Sequence, residues 1–105
     1  MPRVIYISGP ITGVENYREV FNAVKERLTA LGYIVLNPAE LPENMTTEQY
    51  MRINFAMIDA ADAVYFMDGW AHSGGATLER SYCEYTRKPI LHKFAKEVLN
   101  HDRIE

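Results

Sequence analysis

The stretch Ser73-Gly74-Gly75-Ala76-Thr77-Leu78-Glu79 carries the clearest chemical signal in the chain. Paired glycines permit positive φ and a close approach of ligand to backbone. The helix expected to follow, Ala76 to Arg87, presents unpaired N–H groups to an anion or a hydroxyl. Counted from Ala76, Glu79 falls in the first helical turn, where the macrodipole favours an ionised carboxylate, which suits a nucleophile better than a general acid. The same glutamate also reads as an ordinary charge at a helix start, and spacing alone leaves both readings open. A second glycine-bearing loop, Ser8-Gly9-Pro10-Ile11-Thr12-Gly13, can cradle a phosphate or a sugar, or simply turn the chain. It matches neither G-x-G-x-x-G nor a P-loop with its lysine.

These loops need elements to hold them. Val4-Ile5-Tyr6-Ile7 is a β-branched and aromatic run ending at Ser8-Gly9-Pro10, a buried first strand. Tyr17, Val20, Phe21, Val24, Leu28 and Leu31 recur at helical spacing after Asn16, with Gly32 as the stop. Tyr33 to Leu36 is a second strand, closed by Asn37-Pro38, and a polar loop runs on to Met45. Thr46 and Gln49 have capping-box spacing and open a second helix to about Ala61. Ala63 to Met67 is a third strand, Pro89 to Leu91 a short fourth, and the last fourteen residues a terminal helix with a frayed, charged tail over residues 96–105. The charged run Lys93 to Glu105 reads as a solvated face.

Strands alternating with helices imply right-handed crossovers and an α/β fold: a small Rossmann-like (flavodoxin-like) parallel sheet of about four strands with helices on both faces. In such sheets ligands bind beyond the carboxyl ends of the strands, where the winding reverses. The loops Ser8–Glu15, Asn37–Met45 and Asp68–Gly75 are therefore expected to form the site.

A length of 105 residues favours one domain over residues 1–105. A 48% hydrophobic and 24% charged composition excludes a disordered chain. The net charge of −3 argues against a nucleic-acid polymer as partner. Cys83 has no partner for a disulfide, no cluster suggests a metal or other cofactor, and no apolar run approaches a membrane span. A cytoplasmic protein is the expectation. Met45, Met51, Met57, Met67 and Cys83 read as packing residues.

Tyr6-Ile7-Ser8-Gly9-Pro10-Ile11, Asn37-Pro38, Ala61-Asp62-Ala63-Val64 and Gly69-Trp70-x-x-Ser73-x-Gly75-Ala76-x-x-Glu79 together resemble the nucleoside 2-deoxyribosyltransferase-like superfamily, over roughly Val4 to Leu91. The similarity is strongest to its small phage and prophage branch, related to the 2'-deoxynucleoside 5'-phosphate N-hydrolases. The loop Gly74 to Glu79 also looks, more remotely, like that of the cytokinin-activating phosphoribohydrolases. The resemblance implies that Glu79 attacks the anomeric carbon of a nucleoside or its monophosphate, expels the base, and yields a glycosyl-enzyme resolved by water or another base. It also implies that Ser73 and Gly75 hold sugar or phosphate oxygens, that the Tyr6 hydroxyl stands near the nucleophile, and that the chain is a homo-oligomer.

The sequence departs from the family pattern at two places. Asn54 stands where an aspartate is common, eight residues before Asp62, and an amide cannot exchange a proton at neutral pH. Asp59 would face another way round the helix, and Asp62 lies at the far end of strand three, so Asp68 is the acid placed to bind a sugar hydroxyl or take over proton transfer. Its plainer role is a turn residue before Gly69. Thr12 stands where the N-hydrolases carry an arginine for the 5'-phosphate, with Arg18 one turn into the helix. Trp70 and Tyr6 offer faces on which a base can stack, although a lone tryptophan also suits a core. His72 reads as a solvated loop histidine. Cleavage or transfer at an N-glycosidic bond is thus the expected activity, against a non-catalytic nucleoside- or nucleotide-binding module and a purely structural protein.

Overall fold

A computed structural model describes residues 3–92. The terminal helix and tail expected after His92 lie outside the described residues. Four strands form one parallel sheet: β1 (Val4–Ser8), β2 (Ile34–Leu36), β3 (Ala63–Phe66) and β4 (Ile90–Leu91). Three helices connect them: α1 (Tyr17–Ala30), α2 (Thr47–Ala60) and α3 (Gly74–Thr86). The strand order is β2-β1-β3-β4, with Ile5 opposite Val35 on one side and Ala63 on the other. The winding reverses at β1 and β3, and their carboxyl ends are the switch point of a doubly wound sheet.

Period-two alternation divides β1 between two cores. Ile5 and Ile7 join Tyr65 and Met67 beneath Phe21, Val24 and Leu28 of α1. Tyr6 joins Val64 and Phe66 beneath Ile58 of α2 and Cys83 of α3. In α1 the buried stripe is narrower than the apolar pattern predicts: Val20 and Leu31, at its margins, remain 37% and 39% exposed.

Local signals set the helix ends. The Thr46 side chain accepts from the Gln49 N–H while the Gln49 side chain accepts from the Thr46 N–H, so both arms of the capping box are made. Asp62 accepts from the N–H groups of Arg3 and Val4, tying the start of β1 to the start of β3. Those bonds also hold its carboxyl below the usual aspartate range. Two expected loops contain short 3-10 turns, Pro38–Glu40 and Trp70–His72.

One correction bears on the chemistry. Helix α3 starts at Gly74, not Ala76, because Ser73 is its N-cap and accepts from the Ala76 N–H. Gly74 and Gly75 are thus the first helical residues, and positive φ occurs instead at Gly13, Gly32 and Gly69. Glu79 moves out of the first turn into the second, beyond the main reach of the helix dipole.

Candidate functional site

Three elements converge on Glu79. From β1, Tyr6 and Ser8 project to the face covered by α2 and α3, because they are two residues apart. From α3, Ala76, Glu79 and Cys83 form the buried stripe, and from α2, Asn54 and Ile58 do the same. Glu79 is only 4% exposed. Its Oε1 accepts a 2.6 Å hydrogen bond from the Ser8 hydroxyl, and its Oε2 accepts from the Tyr6 hydroxyl at 3.1 Å and Asn54 Nδ2 at 3.4 Å.

Burial pushes the Glu79 carboxyl above the ordinary glutamate range, and the three donors act in the opposite direction by favouring the charged form. This reverses the expectation of a carboxylate kept ionised by a helix start. The groups that favour its charged form are the hydroxyl and amide donors. Burial, reinforced by the neighbouring Glu79 charge, raises Tyr6 well above the usual tyrosine range, so its hydroxyl stays a donor at neutral pH. The same two causes lift the Cys83 thiol to about 11 and leave it a packing group.

Glu79 lines a cavity of about 230 Å³. The other walls come from Gly9, Ile11 and Thr12 after β1, Tyr17 of α1, Pro38 and Leu41 after β2, Thr47, Tyr50, Met51 and Asn54 on α2, and Ser73, Gly75 and Ala76 at the start of α3. All three loops expected to form the site contribute. The volume lies below the ~300–1,000 Å³ common for small-molecule pockets, so it suits a compact group with the rest of a larger ligand outside.

Gly9 has a steric reason to be glycine. A Cβ there would stand 3.0 Å from Met67 Sδ and 3.1 Å from Met67 Cβ. At Gly75 an added Cβ would meet nothing within 4 Å.

Tyr6, Gly9, Asn54, Ser73, Gly75 and Glu79 therefore share one cavity, and two candidates do not. Asp68 is exposed in a turn and does not line it. β3 ends at Phe66, and the chain bends through Gly69 at φ +90° before the short 3-10 turn. Trp70 packs edge-on against Phe66, ring centroids 5.6 Å apart, with the Arg80 guanidinium 4.7 Å over its ring. It packs against the core cluster that includes Phe66 and Cys83. Tyr6 is 1% exposed and presents its hydroxyl to Glu79, leaving no open face for stacking.

Sequence reasoning missed Ser8 as the closest partner of Glu79, and Tyr17, Thr47, Tyr50 and Met51 as cavity walls. Thr47, Tyr50, Met51 and Asn54 follow helical spacing, a signal present in α2 but indistinguishable from core packing until the opposite wall is known. Asp59 is turned away, accepting from the Tyr82 hydroxyl at 2.7 Å. Arg18, the cation near the cavity mouth, donates to the Leu41 carbonyl at 2.8 Å and the Tyr17 hydroxyl at 3.2 Å. It also faces Glu43 at 3.8 Å.

Among the described residues no group of three or more His, Cys, Asp or Glu side chains could hold a metal ion, and no helix is long and apolar enough to cross a membrane. The model of a protein family described as a domain of unknown function (DUF4406) matches residues 3–92. No curated protein matches the sequence.

Proposed function

The chain belongs to the DUF4406 family, and from its site we propose that it cleaves or transfers at the N-glycosidic bond of a (deoxy)nucleoside or nucleoside monophosphate, with Glu79 as nucleophile. The observation that carries this reading is a single carboxylate, buried at a cavity wall and bonded by Ser8, Tyr6 and Asn54. The motif resemblance to the nucleoside 2-deoxyribosyltransferase-like superfamily supports it. A Glu79 carboxylate oxygen forms a bond to the anomeric carbon while the carbon–nitrogen bond breaks, and its electron pair leaves with the base. Water or a second base then attacks the same carbon, with net retention, as the carbon–oxygen bond to Glu79 breaks and its electron pair returns to the carboxylate. The proton lost by the attacking group balances, through solvent, the one taken up by the departed base. The donors around Glu79 hold the carboxylate in one orientation before the ligand arrives, which lowers the cost of reaching the attack geometry.

Among the described residues, no Lys, Arg or His lines the cavity, and Arg18 is bonded to its rim. An uncharged nucleoside is therefore favoured over its monophosphate. A homo-oligomer remains part of the proposal, on the resemblance alone.

The test incubates the protein with a panel of nucleosides, deoxynucleosides and monophosphates, with and without an acceptor base. We expect free base with wild type and none with Glu79→Ala. Product only with an acceptor would define a transferase. Turnover unchanged in Glu79→Ala would refute the mechanism.

A second reading, a non-catalytic nucleoside-binding module, is favoured by one observation. Apart from Glu79 itself, the described residues that line the cavity include no carboxylic acid or histidine to protonate a departing base. Tight binding without turnover, and no gain on Asn54→Asp, would decide for it.

A further inference from the structure

Breaking an N-glycosidic bond leaves an electron pair on the base nitrogen, and an uncharged base needs a proton to accept it. Apart from Glu79, the described residues of the cavity include no acid to give one. Asn54, 3.4 Å from Glu79 on the α2 wall, is an amide that donates to that carboxylate. The aspartates of the neighbouring elements are engaged or placed elsewhere. Asp59 accepts from the Tyr82 hydroxyl, Asp62 from the Arg3 and Val4 N–H groups, and Asp68 is exposed after β3. The phenols on the wall are poor substitutes, because such a group titrates near ~10. Tyr6 already donates to Glu79, and Tyr50 donates to the Pro42 carbonyl at 2.6 Å. Glu79 is a nucleophile only in its charged form, when it has no proton to lend.

The charge on the walls points the same way. Glu79 is the one carboxylate among the described lining residues, and no described Lys, Arg or His balances it there. That feature disfavours a phosphate and suits a cation. Tyr17 and Tyr50 add aromatic rings, whose faces attract positive charge. A cationic group arriving beside Glu79 also favours the ionised carboxylate that the attack requires.

We propose that this site acts on N-glycosides whose base already carries a positive charge, such as N7-alkylated purine nucleosides and pyridinium ribosides. The inference rests on reading the cavity as a site of glycosidic cleavage or transfer. As a Glu79 oxygen bonds to the anomeric carbon, the carbon–nitrogen pair passes to the cationic nitrogen and cancels its charge. The base departs neutral, with no proton transferred to it. Water then attacks the same carbon, the bond to Glu79 breaks, and the proton lost by water passes to solvent. Hydrolysis of a charged substrate therefore releases a proton at each turnover, whereas an uncharged one takes up as many as it releases.

The test follows base release from 7-methylguanosine and 7-methyl-2'-deoxyguanosine at about pH 6, where the methylated base is cationic, each paired with its unmethylated parent. Nicotinamide riboside supplies a second cationic base. Each rate is divided by the uncatalysed rate of the same compound, since methylation itself weakens the bond. Wild type should favour the charged member of each pair by about 100-fold or more, the share that a general acid commonly supplies. Nicotinamide should be freed likewise, and proton release in weak buffer should match base release from the charged probes. Glu79→Gln should lose both signals. Asn54→Asp, which installs an acid on the wall, should narrow the preference by about tenfold or more by speeding the uncharged members. The wild-type ratio is a readout independent of whether either variant folds. Equal corrected rates within the pairs, or an undiminished preference in folded Asn54→Asp, would overturn the charge requirement. Glu79-dependent base release from uncharged nucleosides would then still uphold the glycosidic reading. No base from any probe, with or without an acceptor base, would overturn both.

Discussion

Glu79 shows what burying a carboxyl group does to stability. Its carboxyl is raised above the ordinary range by burial, so the folded state holds a proton there more firmly than the unfolded chain does. The sign of the linkage follows: its contribution to stability is complete below the unfolded glutamate value and is lost as pH rises through the raised folded value. Ionising the buried side chain therefore opposes folding, and Ser8, Tyr6 and Asn54 only reduce that opposition. Glu79→Gln removes the titration. We expect its melting temperature, relative to wild type, to climb as pH rises from about 4 to 8, measured by circular dichroism at matched ionic strength. A difference that stays flat or falls over that range would show that Glu79 is not destabilised by burial. In the proposed reaction this is the price of an active carboxylate in a dry place, and such costs are the usual reason that functional sites are not stability optima.

At the scale of elements, the start of α3 serves two ends at once. Ser73 caps the helix, and Gly74 and Gly75 form its first turn beside the cavity. Glycine is a poor helical residue, and Gly75 has neither positive φ nor a neighbour within 4 Å of an added Cβ. Nothing in the described fold requires it, and the residue lines the cavity that the proposal gives to the ligand. Gly75→Ala should leave the structure intact and raise stability by a few tenths to ~1 kcal/mol in chemical denaturation. The added methyl, standing in the cavity wall, should at the same time weaken nucleoside binding. Lower stability with unchanged binding would mean that the glycine serves the backbone instead. The same element explains the misplaced helix start. Ser73 is a strong N-cap by type, but two successive glycines look like loop, and only the hydrogen bonds show the helix running through them.

For the whole molecule, the decisive fact is the order β2-β1-β3-β4. It places β1 in the interior of the sheet, flanked on both sides, and leaves β2 at an edge. Ile7 is 0% exposed and Ile34 54%. Ile7→Ala should cost ~2–5 kcal/mol in urea unfolding, against well under ~1 kcal/mol for Ile34→Ala. Similar losses at the two positions would contradict the topology. Both isoleucines sit in β-branched runs that look alike in the sequence, and neighbours distant along the chain separate them. The local features were legible from residue types: alternation in β1, the 3-to-4 spacing of α1, and the Thr46–Gln49 capping box each depend on residues a few positions apart. Those features implied a parallel α/β sheet and, with it, the loops that form the cavity. Glu79 was legible too, as a carboxylate after a glycine turn. Its environment was not. The bonds from Ser8, Tyr6 and Asn54 span 71, 73 and 25 residues, and the exclusion of Asp68 and Trp70 depends on which way the chain leaves β3. Local sequence determined which segments became strands and helices, because propensity and capping act over one or two turns. Only tertiary structure decided how deeply Glu79 is buried and which groups satisfy it, because burial and long-range hydrogen bonds are properties of packed elements.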